Sequence, residues 1–360
     1  MELLRSARAA ILASALAAQS CGVKPLRLVS LDASADAPGA DGVAEVATDA
    51  GDETLLGDAS SGDAGVAVVP TSCAATAERA DCRTALIEPE GTFCVGVESA
   101  PDRAGWNASP PSCGLSLSRF FVDRTEVTVA RFRAFYARWS SGALAATTTA
   151  RFANGLAYRA PLPPRGATSE WSPSMTGCNW TDAPDGAREQ HPINCVGWSL
   201  AMYFCAWEGG HLLTSTQYEY LARWHRAADP SGRTFPWGEV APSCEVAHHA
   251  PCVGDDGLAT RRAGALTVAP QGVFDLAGNV ADLVADDFAP YATLEASACW
   301  TSSRRDPLCL PSIAGAHFAR GSNFMNASEP LLRSVFRAST AVDAASPVRG
   351  FRCAYLSPRR

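Results

Sequence analysis

The sequence predicts a domain that mixes short strands with capped helices and is stapled by disulfides. Three observations carry this: capped helical segments lie between short strand-like runs, cysteines recur at close spacing, and composition is even from about Leu86 onward. No internal repeat or second linker interrupts that part, so residues 73–358 read as one domain.

The first strand-like run is Glu90-Gly-Thr-Phe-Cys-Val-Gly96, an opening strand and turn. Phe120-Phe-Val-Asp-Arg-Thr-Glu126-Val-Thr128 is a strand leading into a helix. Thr128 can cap that helix, and Val129, Phe132, Phe135, Tyr136 and Trp139 follow on one face at helical spacing, a core stripe. His191-Pro-Ile-Asn-Cys-Val-Gly-Trp198 leads into a second helix that stops at Gly209-Gly210. Thr214-Ser-Thr-Gln217 is a capping box, in which each side chain satisfies the other's backbone N–H, and it opens a third helix running to Arg223. A turn at Arg233-Thr-Phe-Pro-Trp-Gly238 follows.

Residues 1–20 read as a signal peptide. Arg5 and Arg8 precede the apolar run Ala9 to Ala18, which is too short to span a bilayer. Cys21, after Ala18-Gln-Ser20, resembles the lipidated cysteine of a bacterial lipoprotein; an ordinary cleavage near Ser20 is the alternative. Residues 21–72 then hold the lipidated cysteine and a disordered acidic tether. Residues 29–71 carry nine Asp or Glu, no Lys or Arg and no aromatic residue, too little apolar surface to offset the entropy of ordering. The formal charge is −7 overall; the first 28 residues carry +3 and the tether −9, so the remaining 289 carry about −1. The folded part has no overall basic field, which argues against nucleic acid as a partner. An exported protein at the outer membrane or cell surface is expected, facing the periplasm or the exterior, with a lipid anchor as its membrane contact.

Thirteen cysteines less Cys21 leave twelve, an even number that suits an oxidising compartment. Short separations suggest Cys73 with Cys82, Cys94 with Cys113, Cys178 with Cys195, Cys244 with Cys252, and Cys299 with Cys309. Cys205 and Cys353 remain, far apart; sequence leaves the connectivity open. No Cys-x-x-Cys pair supports zinc. The His248-His249 pair between Cys244 and Cys252 reads as a disulfide-closed surface loop.

Gly272-Val-Phe-Asp-Leu-Ala-Gly-Asn-Val-Ala-Asp282 is followed by Ala319-Arg-Gly-Ser-Asn-Phe324, Arg333, Arg337 and Gly350-Phe-Arg-Cys353. With Glu126-Val-Thr128, Val196-Gly-Trp198, Phe204-Cys-Ala-Trp-Glu-Gly209, His211 to Arg223 and Pro236-Trp-Gly238, the order and spacing resemble the formylglycine-generating enzyme (sulfatase-modifying factor) family over about residues 86–355. The resemblance implies a C-type-lectin-like α+β fold, rich in loops and disulfides, and a Cys205–Cys353 pairing. It also implies a calcium site from the side chains of Asp275 and Asp282 and the carbonyls of Gly278 and Val280, ligand types that suit calcium. A second calcium site of the family would fall near His248 and Asp256, where His248 replaces an oxygen ligand.

Catalytic members use two cysteines after an Arg-Gly-Gly-Ser segment to hold copper. The matching positions here are Asn326 and Leu331, Asn323 stands at the serine and Pro330 at a tyrosine. Copper is not expected, because an amide and an isobutyl group cannot replace thiolates. Another branch makes sulfoxides on iron with His-x-x-x-His-x-Glu, a motif this chain lacks. The leading expectation is therefore a pseudoenzyme that binds an extracytoplasmic ligand or protein. Its ligand surface would run over Arg320, Asn323, Asn326, Glu329, Arg333 and Arg337. An oxidoreductase with a non-standard site and a structural envelope protein are the alternatives.

Overall fold

The computed structural model describes residues 83–96, 111–225, 232–266, 268–289, 303–310, 317–338 and 344–357. All lie within the compact unit Asp63–Arg360. The expected signal peptide, Cys21, the tether, Cys73, Cys82 and Cys299 fall outside the described residues.

Strands β1 (Thr84–Ile87), β2 (Phe93–Val95), β3 (Ser112–Leu115) and β4 (Phe120–Asp123) precede helix α1 (Val129–Ser140). A hairpin of β5 (Thr147–Arg151) and β6 (Ala157–Pro161) leads to α2 (Trp198–Trp207), β7 (His211–Leu212) and α3 (Ser215–Arg223). Seven further strands follow: β8 (Val268–Ala269), β9 (Val273–Phe274), β10 (Ala281–Asp287), β11 (His317–Arg320), β12 (Arg337–Ala338), β13 (Arg349–Gly350) and β14 (Cys353–Tyr355). One sheet has the order β1-β4-β14-β7 and a second the order β12-β11-β10-β13. Both join segments remote in sequence, so the C-terminal residues complete the fold: Ala354 pairs with Val122 on one side and His211 on the other.

The helices form for local reasons. Thr128 caps α1 by accepting Arg131 N–H, and Val129, Phe132, Phe135 and Trp139 are its buried stripe. Phe132 stacks on Phe204 at 5.6 Å and on Trp171 at 5.3 Å. Each such ring contributes about 1.5–3 kcal/mol by leaving water. Helix α2 is buried from Leu200 through Ala206, so it runs through the core without a polar stripe. Gly197, its N-cap, offers no side chain; Glu170 substitutes, its Oε2 accepting Leu200 N–H at 3.0 Å. The Thr214–Gln217 capping box opens α3, which ends at Trp224 in the left-handed region, φ 51°.

Disulfides join Cys94 to Cys113, Cys178 to Cys195, Cys205 to Cys353 and Cys244 to Cys252. Cys309 is also disulfide-bonded. The Cys205–Cys353 bond spans 148 residues and locks α2 to β14 beside the central sheet.

Candidate functional site

Strand β10 is buried along its whole length and organises the region. Its first residues pair with Arg349 and Gly350 of β13, and its neighbour β11 delivers the chain into the loop Gly321–Asn326. That loop is held by short-range polar contacts. Ser322 sits in the left-handed region at φ 61°, and Asn326 Nδ2 donates to its hydroxyl at 2.8 Å. Asn323 Oδ1 accepts Met325 N–H at 3.0 Å, an Asx turn. Phe324 N–H reaches Asn279 O, and Ala250 N–H reaches Asn326 O, which ties the loop to the Gly278–Asn279 turn and to the Cys244–Cys252 loop.

The surface expected from sequence needs correction at two positions. Arg320 and Arg337 are among the largest fully buried side chains. Arg320 pairs with Glu219 at 3.0 Å and donates to Ser334 O, and Arg337 donates to Ala289 O with its guanidinium over Phe318. Both hold β11 and β12 against the core and present nothing to a ligand. Asn323 and Asn326 are half-buried, Glu329 is exposed, and Arg333 reaches Glu329 at 3.3 Å. Met325, 64% exposed, adds an apolar group to this surface. Leu331 is half-buried in the 3-10 helix Glu329–Leu332, and Leu332 packs with Phe235 and Ala277.

Every cysteine among the described residues is disulfide-bonded, including Cys309 and Cys353, which bracket this segment in sequence. The loop presents the Asn326 amide, and the 3-10 helix after it the Leu331 isobutyl group, where the resemblance places copper-holding thiolates.

Beneath the loop lies a buried acidic centre. Gly278, φ 92°, passes so close to His248 that a Cβ would sit 2.6 Å from its carbonyl oxygen. Asn279 Nδ2 then donates to Glu126 Oε1 at 3.1 Å, across 153 residues. Asp275 Oδ2 accepts Gly264 N–H, and Asp282 Oδ2 accepts Arg352 Nε at 2.8 Å. Arg352 also donates to Phe274 O and Asp275 O. Glu126 Oε2 and Asp282 Oδ1 are buried without a hydrogen-bond partner.

Burial pushes all three carboxyls up. It raises Asp275 to about 6, and it raises Glu126 well above the usual carboxylate range with the Asp275 charge adding to it. Asp282 is also raised by burial, with Arg352 opposing. Burial works against the charge on Arg352, but Asp282 and Glu126 outweigh it and hold the guanidinium protonated. Three carboxyls against one guanidinium leave an excess of negative charge that only a proton or a cation can meet.

Of the expected calcium ligands, Asp275, Val280 and Asp282 are thus buried around this centre, and Gly278 is at its turn. The orphaned carboxylate oxygens fit a cation. No three His, Cys, Asp or Glu side chains among the described residues form a metal group on their own, so such an ion would need backbone oxygens and water as well. Sequence reading left out Glu126 as a member. Its only signal was the Glu-Val-Thr motif, which says nothing of a partner 153 residues away. The His248-His249 pair also needs correction. Both are buried, at 1% and 8% exposure, with His248 Nε2 on Ala259 O and His249 Nδ1 on Ala250 O.

No helix among the described residues is long and apolar enough to cross a membrane. The family described as sulfatase-modifying factor enzyme 1-like matches residues 71–356. The formylglycine-generating enzyme of Streptomyces coelicolor is 28% identical over 290 residues, 74% of this chain and 87% of that protein. That of Mus musculus is 25% identical over 292 residues, 74% of this chain and 73% of that protein. Hercynine oxygenase of Mycolicibacterium thermoresistibile is 27% identical over 191 residues, 51% of this chain and 38% of that protein. The solved structure of PvdO from Pseudomonas aeruginosa shares the fold at TM-score 0.50 and 20% identity, over 75% of this chain and 93% of that one. The loop, the buried arginines and the acidic centre thus stand on a shared scaffold, and the chain belongs to the sulfatase-modifying factor enzyme 1-like family.

Proposed function

We propose that this protein is an exported, membrane-tethered member of the family that binds an extracytoplasmic ligand or protein and has given up the family's thiol chemistry. One observation carries the reading. Asn326 and Leu331 occupy the positions where copper thiolates are expected, and all described cysteines are locked in disulfides. An amide and an alkyl group neither bind copper(I) nor attack a substrate thiol. What the loop offers instead is a set of hydrogen-bonding and apolar groups: Asn323, Met325, Asn326, Glu329 and Arg333. Such a mixture suits recognition, with Met325 as an adaptable apolar contact.

The calcium ion belongs to the same proposal. Asp275 and Asp282 with the carbonyls of Gly278 and Val280 would hold it, and it would neutralise the acidic centre under the loop. Export and the Cys21 lipid rest on the leader, and the disulfides suit an oxidising compartment.

The test uses a peptide containing Cys-x-Pro-x-Arg, because relatives are named formylglycine-generating enzymes. The mature chain is incubated with the peptide, copper and reductant, beside an active family enzyme. The expected mass spectrum shows the peptide thiol unchanged. Conversion of the cysteine to an aldehyde would replace this reading with that of an oxidoreductase with a non-standard site.

A further inference from the structure

The β5–β6 hairpin has two unlike faces. Ala150 and Ala160 are fully buried on one, and Tyr158 turns the same way to pack edge-on against Trp198. The other face exposes Thr149, Arg151, Ala157, Arg159 and Pro161. The register sets Thr149 opposite Arg159 and Arg151 opposite Ala157, so the two arginines stand one diagonal step apart, roughly 7–8 Å. Arg159 Nε donates to Thr147 Oγ1 on the same face at 3.3 Å. Arg165 lies beyond the Thr147 end of the hairpin, where it donates to Ser140 O at the end of α1, and Arg138 is exposed in the last turn of that helix.

From Val127 to Ser169 the chain has six arginines and no Asp or Glu. Arg131 and Arg133 are used in ion pairs with Asp123, Glu208 and Glu189. Arg138, Arg151, Arg159 and Arg165 have no carboxylate partner among the described residues. Of these, Arg151 and Arg159 share the exposed face of the hairpin, so a domain of almost no net charge carries uncompensated positive charge there. Such a face attracts anions.

We propose that this face binds an anionic polysaccharide, a chain carrying sulfate or carboxylate groups along its length. Arginine forks match such groups in two-point contact, and the threonine hydroxyls between them match sugar hydroxyls. From Thr147 to Arg151 the strand offers about 13 Å of track. The exposed face carries no aromatic ring on which a base could stack. It also carries no large apolar side chain that would enter a bilayer; Leu156, 37% exposed, sits at the turn. The face shares no residue with the Asn323–Arg333 surface, so the inference stands apart from the proposed function.

The full chain is titrated against heparin as a sulfated probe and polygalacturonate as a carboxylated one, over a range of salt. Phosphatidylglycerol vesicles and duplex DNA serve as rival probes. Binding to at least one polysaccharide at low salt is expected, weakening as salt rises. The Arg151→Gln/Arg159→Gln variant should lose at least tenfold in affinity, and its log–log salt slope should fall by about two if each arginine meets one anionic group. Its melting temperature should stay unchanged, since both side chains are exposed. Arg261→Gln/Arg262→Gln, the same charge change in the loop that pairs with Asp255 and Asp256, should stay within twofold of the parent. Absence of binding to both polysaccharides, equal losses in the two variants, or tighter binding to vesicles or DNA would each overturn the assignment.

Discussion

Two buried charge clusters within one domain have opposite characters. In the first, Arg131 pairs with both Asp123 and Glu208, Tyr355 Oη joins them, and Cys353 N–H closes on Asp123 Oδ2. No side-chain atom of these residues is buried without a partner. The second, Glu126–Asp275–Asp282–Arg352, is as deeply buried yet leaves Glu126 Oε2 and Asp282 Oδ1 orphaned. The first is a strut that joins α1, α2, β4 and β14. The second retains an excess of negative charge beneath the loop, at the position where the resemblance implies an ion.

The sharpest way to break the comparison is to remove each guanidinium. Arg131→Met and Arg352→Met should each cost about 3–5 kcal/mol, because each strands buried carboxylates. Calcium should recover a large part of the loss in Arg352→Met and none in Arg131→Met, read from denaturant unfolding with and without the ion. Equal calcium responses would erase the distinction between strut and site.

Disulfides give effects of comparable size with a clear ranking. In the loop-entropy account the Cys205→Ala/Cys353→Ala variant loses about 5 kcal/mol and Cys244→Ala/Cys252→Ala about 2.5 kcal/mol. Unfolding midpoints in the reverse order would mean that strain or residual structure outweighs loop length.

The pH dependence tests the second cluster further. The Asp275 carboxyl is raised in the fold, so its contribution to stability is fully present below the unfolded pKa of about 4. That contribution is lost as pH rises through about 6. Stability should therefore fall across this window in a chelator, and Asp275→Asn should reduce the fall, leaving the part due to Asp286, which burial also raises to about 6. Bound calcium should also flatten it, because the ion takes the place of the proton. Unchanged slopes in both cases would detach Asp275 from the acidic centre.

The smallest effects belong to the loop surface. Asn326→Ala removes one half-buried bond to Ser322 and should cost about 1 kcal/mol. Glu329→Ala removes an exposed pair with Arg333 and should cost about 0–0.5 kcal/mol. Thermal melts can check both; a loss of several kcal/mol in either would make the surface structural.

Local signals carried much of the fold into the sequence. Thr128, the Val129–Trp139 stripe and the Thr214–Gln217 box act within a few residues, so their roles were legible, and short cysteine separations pointed to neighbours. Arginine burial was not legible in that way. Arg320 reads as a surface residue until Glu219, 101 residues earlier, is found against it. His248 and His249 sit in a loop by sequence, and only the folded chain shows both buried, with Gly278 passing against His248. Glu126 lies against Asp275 and near Asp282, a proximity made by folding alone.

The most direct test of the central claim, a conserved scaffold without its thiols, is anaerobic titration with copper(I) held by a weak chelator. The parent chain should leave the copper on the chelator, and Asn326→Cys/Leu331→Cys should withdraw one equivalent. Stoichiometric copper(I) binding by the parent chain would contradict the account.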